Sequence, residues 1–118
     1  MSLNFLHKPN YFLYAQRIIH HVELYLKKYP NDTKAQFDLN EIYQLFQQDL
    51  ASTTTNLDGI MNIADEYRVE TLSGDQKLIQ SYYIDANQNI LSLQLNAEAI
   101  ESIHQGKKII APDATLHE

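Results

Sequence analysis

The chain of 118 residues contains no cysteine and no tryptophan, and it has only three glycines and three prolines. The absence of cysteine excludes a disulfide scaffold, a thiolate metal site and a cysteine nucleophile. The scarcity of glycine and proline argues against a disordered chain. No apolar run approaches the roughly 20 residues of a membrane helix, and no signal-peptide pattern opens the chain. These features predict one small soluble domain in the cytoplasm.

The ends of the chain resemble cloning remnants. Residues 1–3 resemble a vector-derived start, and Glu118 resembles the remainder of a tag. We therefore predict a single domain over residues 4–106, followed by a tail or linker over residues 107–118.

Three helices are predicted in the first half of the chain. Apolar residues at steps of three and four, from Tyr11 to Tyr29, predict an amphipathic helix that Asn10 caps. Asp38 followed by Glu41 is a capping-box pattern at the start of a second helix, which the apolar spacing extends to Leu50. Residues 52–55 are expected to interrupt the helical pattern, and Thr55 is expected to cap the third helix.

In the second half of the chain, the repeat of apolar residues changes from 3.6 residues, typical of a helix, to 2 residues, typical of a strand. A turn over residues 73–75 is followed by strands over residues 78–85 and 90–95, joined by a loop at residues 86–89. Asn96 is expected to cap a short fourth helix, and Gly106 is expected to follow its last turn. The predicted fold class is therefore α+β, with three helices, an antiparallel hairpin and a short C-terminal helix.

The segment LIQSYYIDANQNILSLQLNAEAIESI, over residues 78–103, resembles the strand–turn–strand–helix part of the winged-helix domains of plasmid replication initiators. The matching parts are a strand ending in an acidic turn (Ile79–Asp85), an alternating apolar strand (Ile90–Leu95) and a helix from Asn96 onward. The resemblance implies a winged helix in a DNA-transaction protein, where such domains serve origin binding and dimerisation. The chain has room for only one such domain.

Charge is distributed unevenly along the sequence. Residues 4–37 carry five cations and two carboxylates, whereas residues 38–101 carry two cations and eleven carboxylates. A DNA-reading winged helix places its third helix in the major groove, and here that helix lies in the acidic segment. Because phosphate neutralisation supplies most nucleic-acid affinity, the charge favours protein contact or dimerisation over base reading.

The alternatives stay open at this stage. A DNA-binding winged helix would use polar residues around the third helix and the few cations beside it: Thr53, Thr54, Thr55, Asn56, Asn62, Arg68 and Lys77. A protein-contact module would use Tyr82 or Tyr83, one of which must face away from the buried side of the sheet. A third alternative is a small acidic adaptor or regulator that mimics nucleic acid.

Enzymatic chemistry has little support in the sequence. His20 and His21 are adjacent, so on a helix they point about 100° apart and do not chelate one metal together. The glycines are isolated, so no phosphate-binding loop is present, and no nucleophile elbow surrounds a serine. We predict no catalytic residue, no metal site, no cofactor and no small-molecule substrate.

Overall fold

The computed structural model describes the backbone of residues 3–46 and 50–112, and the side chains of residues 11–46 and 57–112. Its elements follow the chain in the order α1 (Leu3–Lys28), β1 (Lys34–Asp38), α2 (Leu39–Phe46), α3 (Leu50–Ala64), β2 (Arg68–Thr71), β3 (Gly74–Lys77), β4 (Ile79–Asp85), β5 (Ile90–Leu95), α4 (Ala97–His104) and β6 (Ile109–Ile110). The described part is therefore α+β, as the sequence predicts.

The strands form two antiparallel sheets of three strands each. The first sheet has the order β1-β5-β4, so β1, which lies between α1 and α2 in the chain, pairs with the second strand of the predicted hairpin. The second sheet has the order β3-β2-β6. Helix α4 packs against β2, and α3 packs against both α1 and β4. No helix in the described part of the chain is long and apolar enough to cross a membrane.

The hydrophobic core lies between the helices and the inner face of the first sheet. Alternation along β1 buries Ala35 and Phe37, and alternation along β5 buries Leu91, Leu93 and Leu95. The helices contribute a buried set at helical spacing: Ala15, Ile18, Ile19, Val22, Leu26, Leu39, Ile42, Tyr43, Phe46, Leu57, Ile60, Met61 and Ala64. Burying each large aliphatic side chain contributes roughly 1.5–3 kcal/mol, so this core is the main source of stability.

Several local predictions are confirmed. The Asp38 carboxylate accepts the backbone N–H of Asn40 at 2.8 Å, which places Asp38 at the start of α2. Asn96 caps α4, since its side-chain oxygen accepts the N–H groups of Glu98 and Ala99. Gly106 follows this helix with φ of 94°, a left-handed conformation that favours glycine.

The helix boundaries require corrections. Helix α1 begins at Leu3, so Asn10 lies inside it and does not cap it. Tyr29 follows the last helical residue, leaves the apolar stripe and is 51% exposed. Glu41 bonds to His21 and does not complete a capping box. The predicted end of α2 at Leu50 is wrong, since the helix stops at Phe46 and Leu50 opens α3.

Residues 52–55 do not interrupt the helical pattern, because α3 runs through them from Leu50. Thr55 is therefore inside the helix and is not its cap. A threonine costs roughly 0.7 kcal/mol or less in a helix. The buried residues Leu57, Ile60 and Met61 of the same helix outweigh that cost.

The strand layout also differs from the prediction. Strand β1 separates α1 from α2, and the hairpin of β2 and β3 separates α3 from β4. The segment predicted as a tail contributes β6, which pairs with β2. Strands β1 and β6 form because distant segments, β5 and β2, supply their hydrogen-bonding partners, whereas β2 and β3 pair locally as a hairpin with little apolar patterning in β3.

Candidate functional site

Helix α3 and strand β4 meet along a polar seam centred on the Tyr82 hydroxyl. Its oxygen lies 2.9 Å from Asp58 Oδ1 and 2.9 Å from Asn62 Oδ1. Asp58 and Asn62 are four residues apart on α3 and therefore share one face of the helix. One hydroxyl proton serves only one acceptor, so the favourable arrangement has the hydroxyl donating to Asp58 and the Asn62 amide turned to donate to the phenol oxygen.

The environment of Tyr82 keeps it protonated. Burial raises the pKa of Tyr82 to about 12, and the hydrogen bond to Asp58 and the charges of Asp58 and Asp65 act in the same direction. A tyrosine nucleophile needs the opposite shift, toward easier loss of its proton. The hydroxyl therefore serves as a hydrogen-bond donor that joins α3 to the hairpin.

The seam continues to the second sheet through an ion pair. Asp65 lies in the turn that follows α3, and its Oδ2 is 3.5 Å from Lys77 Nζ on β3. The two side chains are 21% and 37% exposed, so the pair contributes roughly 1 kcal/mol or less. Asn62 and Lys77, two of the predicted DNA contacts, are thus both engaged within the fold.

Arg68 is the predicted DNA contact that keeps its charge accessible. It lies on β2 directly opposite Lys77, and its side chain is exposed. Within the part of the chain that the structure describes, no carboxylate forms an ion pair with it. Because Lys77 is paired with Asp65, Arg68 alone of this facing pair keeps an accessible positive charge beside the acidic end of α3.

The remaining predicted DNA contacts belong to the first half of α3. The backbone of Thr53, Thr54, Thr55 and Asn56 is helical. Their side chains lie outside the described residues, so their contact role stays a prediction.

The outer face of the first sheet is polar and open, with one aromatic ring at its centre. Tyr83 lies opposite Ser92, which in turn lies opposite Gln36 on β1. The Tyr83 side chain is 64% exposed, whereas the neighbouring Tyr82 is partly buried against the core. The outer face, as we name it below, consists of Lys34, Gln36, Ser81, Tyr83, Ser92 and Gln94.

Sequence reasoning found Tyr83 but missed its neighbours on β1. Lys34 and Gln36 alternate with the buried Ala35 and Phe37, which is the period-2 signal of a strand. The signal spans only five residues and contains two apolar side chains, so it does not stand out from a loop.

Among the described residues of α1, one histidine–carboxylate pair could supply two metal ligands. His20 Nδ1 lies 3.8 Å from Glu23 Oε1, and no third ligand joins them. None of the described residues forms a group of three or more histidine, aspartate or glutamate side chains that could hold a metal ion.

Comparisons with known proteins do not assign the chain to a family. No protein-family model, no curated protein and no solved structure matches the chain.

Proposed function

We propose that this chain is a non-enzymatic, winged-helix-like module of a DNA-transaction protein that acts mainly through dimerisation or protein contact. Support comes from the β4–β5 hairpin that is followed directly by α4; strands β1, β2 and β3 interrupt the rest of the predicted layout. A winged helix also needs its second and third helices packed on the hairpin. The first residue of α2, Leu39, donates its N–H to Asn89 O in the hairpin loop at 2.9 Å, and α3 contacts β4 through Tyr82.

The observation that carries the proposal is the charge of the α3 face beside the hairpin. Among the described side chains, this end of α3 presents Asp58, the turn that follows it adds Asp65, and Asn62 is held by Tyr82. DNA phosphates approaching α3 would meet carboxylates, and affinity for DNA depends on cations that neutralise phosphates. A helix with this charge is better suited to a protein partner than to a DNA groove.

The outer face is the contact surface that we propose. Tyrosine is enriched in protein interfaces because its ring buries a large area while its hydroxyl keeps a polar partner. Tyr83 presents such a ring, 64% exposed, among small polar side chains that carry only the charge of Lys34. Removing water from an uncharged polar surface costs less free energy than removing it from a charged surface, which favours contact through this face.

Fluorescence anisotropy tests the proposal. Labelled duplex and single-stranded DNA of random sequence are titrated with the protein up to micromolar concentration, at low and at physiological salt. We expect no binding at either salt concentration. A basic DNA-binding domain measured alongside shows that the assay detects phosphate contacts.

Binding that falls steeply with salt would overturn the proposal in favour of a DNA-reading winged helix. Arg68 is the observation that favours this second candidate, because its charge is exposed and no described carboxylate pairs with it. Arg68→Glu would then abolish the binding, and Lys107→Glu, in a cation already paired with Glu70, serves as the control.

Sedimentation velocity locates the contact. We expect a concentration-dependent dimer that Tyr83→Ser dissociates, and Tyr83→Phe should preserve it because the ring supplies most of the buried area. A monomer at all concentrations restricts the proposal to contact with a different protein.

A further inference from the structure

A groove runs along the side of α1 that faces α2 and β1, and it reaches the outer face at Gln36. Its two halves meet at His21 and Leu24, which line both. One half extends toward Arg17 and Leu45, and the other extends toward Lys27, Lys28 and Phe37. The stretch of α1 from residue 16 to residue 29 is about 20 Å long, at 1.5 Å per residue, which accommodates three to four turns of a bound helix.

We infer that this groove binds an acidic peptide segment of a partner protein, with apolar side chains on the groove floor and carboxylates against the α1 cations. The groove shares β1 with the outer face, since Gln36 lines both. Leu24, Lys27 and Lys28 line only the groove, so their variants test the inference separately from the proposed function. It rests on the combination of an apolar floor and a basic wall in a protein whose formal net charge is −6.

The floor is apolar and partly open. Leu24 is 46% exposed at the junction of the two halves, and Tyr29 is 51% exposed at one end. Between them lies an aromatic group in which Tyr25 contacts both Tyr29 and Phe37, with ring centroids 4.9 Å and 5.4 Å apart. A single exposed leucine is ordinary, but one that joins two apolar depressions offers an anchor position for a partner side chain.

The wall carries positive charge that the described part of the fold does not neutralise. Arg17 Nη1 donates to Leu45 O at 2.7 Å, which fixes the guanidinium at the rim with its other N–H groups available. Lys27 and Lys28 form no ion pair with any described carboxylate, and both lie where the helix dipole favours cations.

Among the described residues that line the groove, Glu41 is the one carboxylate, against the three cations Arg17, Lys27 and Lys28. Glu41 on the α2 side bonds to His21 Nε2 at 2.6 Å. Glu23, the carboxylate of α1, lines a different groove together with Lys107 and Lys108. The charge in the peptide groove therefore favours an anionic occupant.

A peptide fits these features better than two other anionic partners. Duplex DNA gains phosphate contacts from the wall but nothing from an apolar floor, and its rigid backbone does not place apolar groups there. A second copy of the chain would have to fill the groove with carboxylates from a different surface, since Glu41 is the one carboxylate among the described residues that line it. Such a contact would be head-to-tail and would not close into a dimer.

A displayed library of random 16-residue peptides, selected against the full chain, tests the inference. Enriched peptides should carry more Asp and Glu than the starting library, together with Leu, Phe or Trp at helical spacing. Their affinities are then measured by anisotropy with the wild-type protein and with variants.

We expect Leu24→Ser to weaken binding about tenfold, as loss of one buried apolar anchor predicts. Leu13→Ser is the matched control, because Leu13 is 41% exposed on the same helix but does not line the groove. The double variant Lys27→Glu/Lys28→Glu should weaken binding by a similar factor at low salt. Lys107→Glu/Lys108→Glu, with the same change in net charge, should leave it within about twofold.

Three outcomes would overturn the inference: enriched peptides without an excess of carboxylates, equal effects of Leu24→Ser and Leu13→Ser, or no enrichment at all. Displacement of the peptides by a DNA duplex whose own binding is unchanged in Leu24→Ser would identify a phosphate-binding patch instead. None of these results alters the expected behaviour of Tyr83 in sedimentation.

Discussion

Tyr82 and Tyr83 are adjacent in β4 but lie in different surroundings, because successive strand residues face opposite sides of a sheet. The Tyr82 side chain points to α3, where its hydroxyl meets Asp58 and Asn62. The Tyr83 side chain points to the open outer face and is 64% exposed. Alternation allows the sequence to predict that one of them is exposed, but which one depends on where the buried face of the sheet lies.

Removing the Tyr82 hydroxyl should destabilise the fold. Tyr82→Phe keeps the ring but leaves Asp58 and Asn62 without their shared partner. We expect a loss of about 1 kcal/mol in the free energy of unfolding, typical of one partly exposed hydrogen bond. Urea unfolding at neutral pH measures it, and Tyr83→Phe should change the same quantity by less than about 0.5 kcal/mol. Equal losses in the two variants would contradict the seam geometry.

The raised pKa of Tyr82 should also make stability depend on alkaline pH. The folded pKa of about 12 exceeds the ordinary tyrosine value of 10.0, so between those values the unfolded chain loses a proton that the folded chain keeps. The stability that this site contributes is therefore complete below pH 10 and is lost as pH rises toward 12. The difference in unfolding free energy between wild type and Tyr82→Phe should shrink over this interval.

The comparison with Tyr82→Phe is needed because burial also raises the pKa values of Tyr25 and Tyr67, and these residues add to the wild-type profile. Absorbance of the phenolate measures the same proton loss directly. The Tyr82→Phe variant should lack one tyrosine that loses its proton at the upper end of this pH interval. A difference in unfolding free energy between the two proteins that stays constant up to pH 12 would contradict the raised pKa of Tyr82.

At the scale of elements, local signals predicted those structures that short stretches of sequence can stabilise. The long apolar stripe predicted α1, the alternating leucines predicted β5, and Asn96 marked the start of α4. Their signals are local because a helix bonds to itself and a hairpin strand bonds to its neighbour in the chain.

Elements that depend on distant partners were missed. Strand β1 pairs with β5, more than fifty residues away, and β6 pairs with β2 across some forty residues. Strand β3 has no buried side chain at all, so no hydrophobic pattern marks it. The seam could not be predicted either, because the β2–β3 hairpin, which the sequence pattern did not indicate, separates α3 from β4 in the chain.

The N-cap of α4 joins two elements, and its loss should be costly. The Asn96 oxygen caps the helix, and its Nδ2 donates to Gln76 Oε1 on β3 at 3.0 Å. Asn96→Ala should lower the free energy of unfolding by about 2 kcal/mol, since a cap and a hydrogen bond contribute about 1 kcal/mol each.

Asn96→Asp should recover about half of that loss, because a carboxylate caps the helix but does not donate to Gln76. Asn87, exposed in the hairpin loop, provides the control, and Asn87→Ala should change stability by less than about 0.5 kcal/mol. Thermal or urea unfolding of the four proteins gives these values. A full loss in Asn96→Asp would assign the whole effect to the contact with Gln76.

At the scale of the whole molecule, the separation of charge relates the two proposed surfaces. The cations of residues 4–37 lie mainly on α1, whereas the described carboxylates of residues 38–46 and 57–101 lie on strands of both sheets, on the other helices and in the turn after α3. A formal net charge of −6 makes the folded state repel itself, and the cations of α1 reduce that repulsion. Lys27 and Lys28 therefore have a role in stability as well as in the proposed peptide site.

This role predicts a salt dependence of stability. Lys27→Glu/Lys28→Glu makes the net charge four units more negative and places carboxylates at the negative end of the α1 dipole. At ~0.1 M NaCl we expect the variant to be about 1–2 kcal/mol less stable than wild type. At ~1 M NaCl the screening length falls from ~10 Å to ~3 Å, so most of this difference should disappear. Lys27→Gln/Lys28→Gln, which removes charge without reversing it, should lie between the two proteins at low salt. A difference that salt does not reduce would mean that the lysine stems stabilise α1 by packing, and the charge of this helix would then be free to serve binding alone.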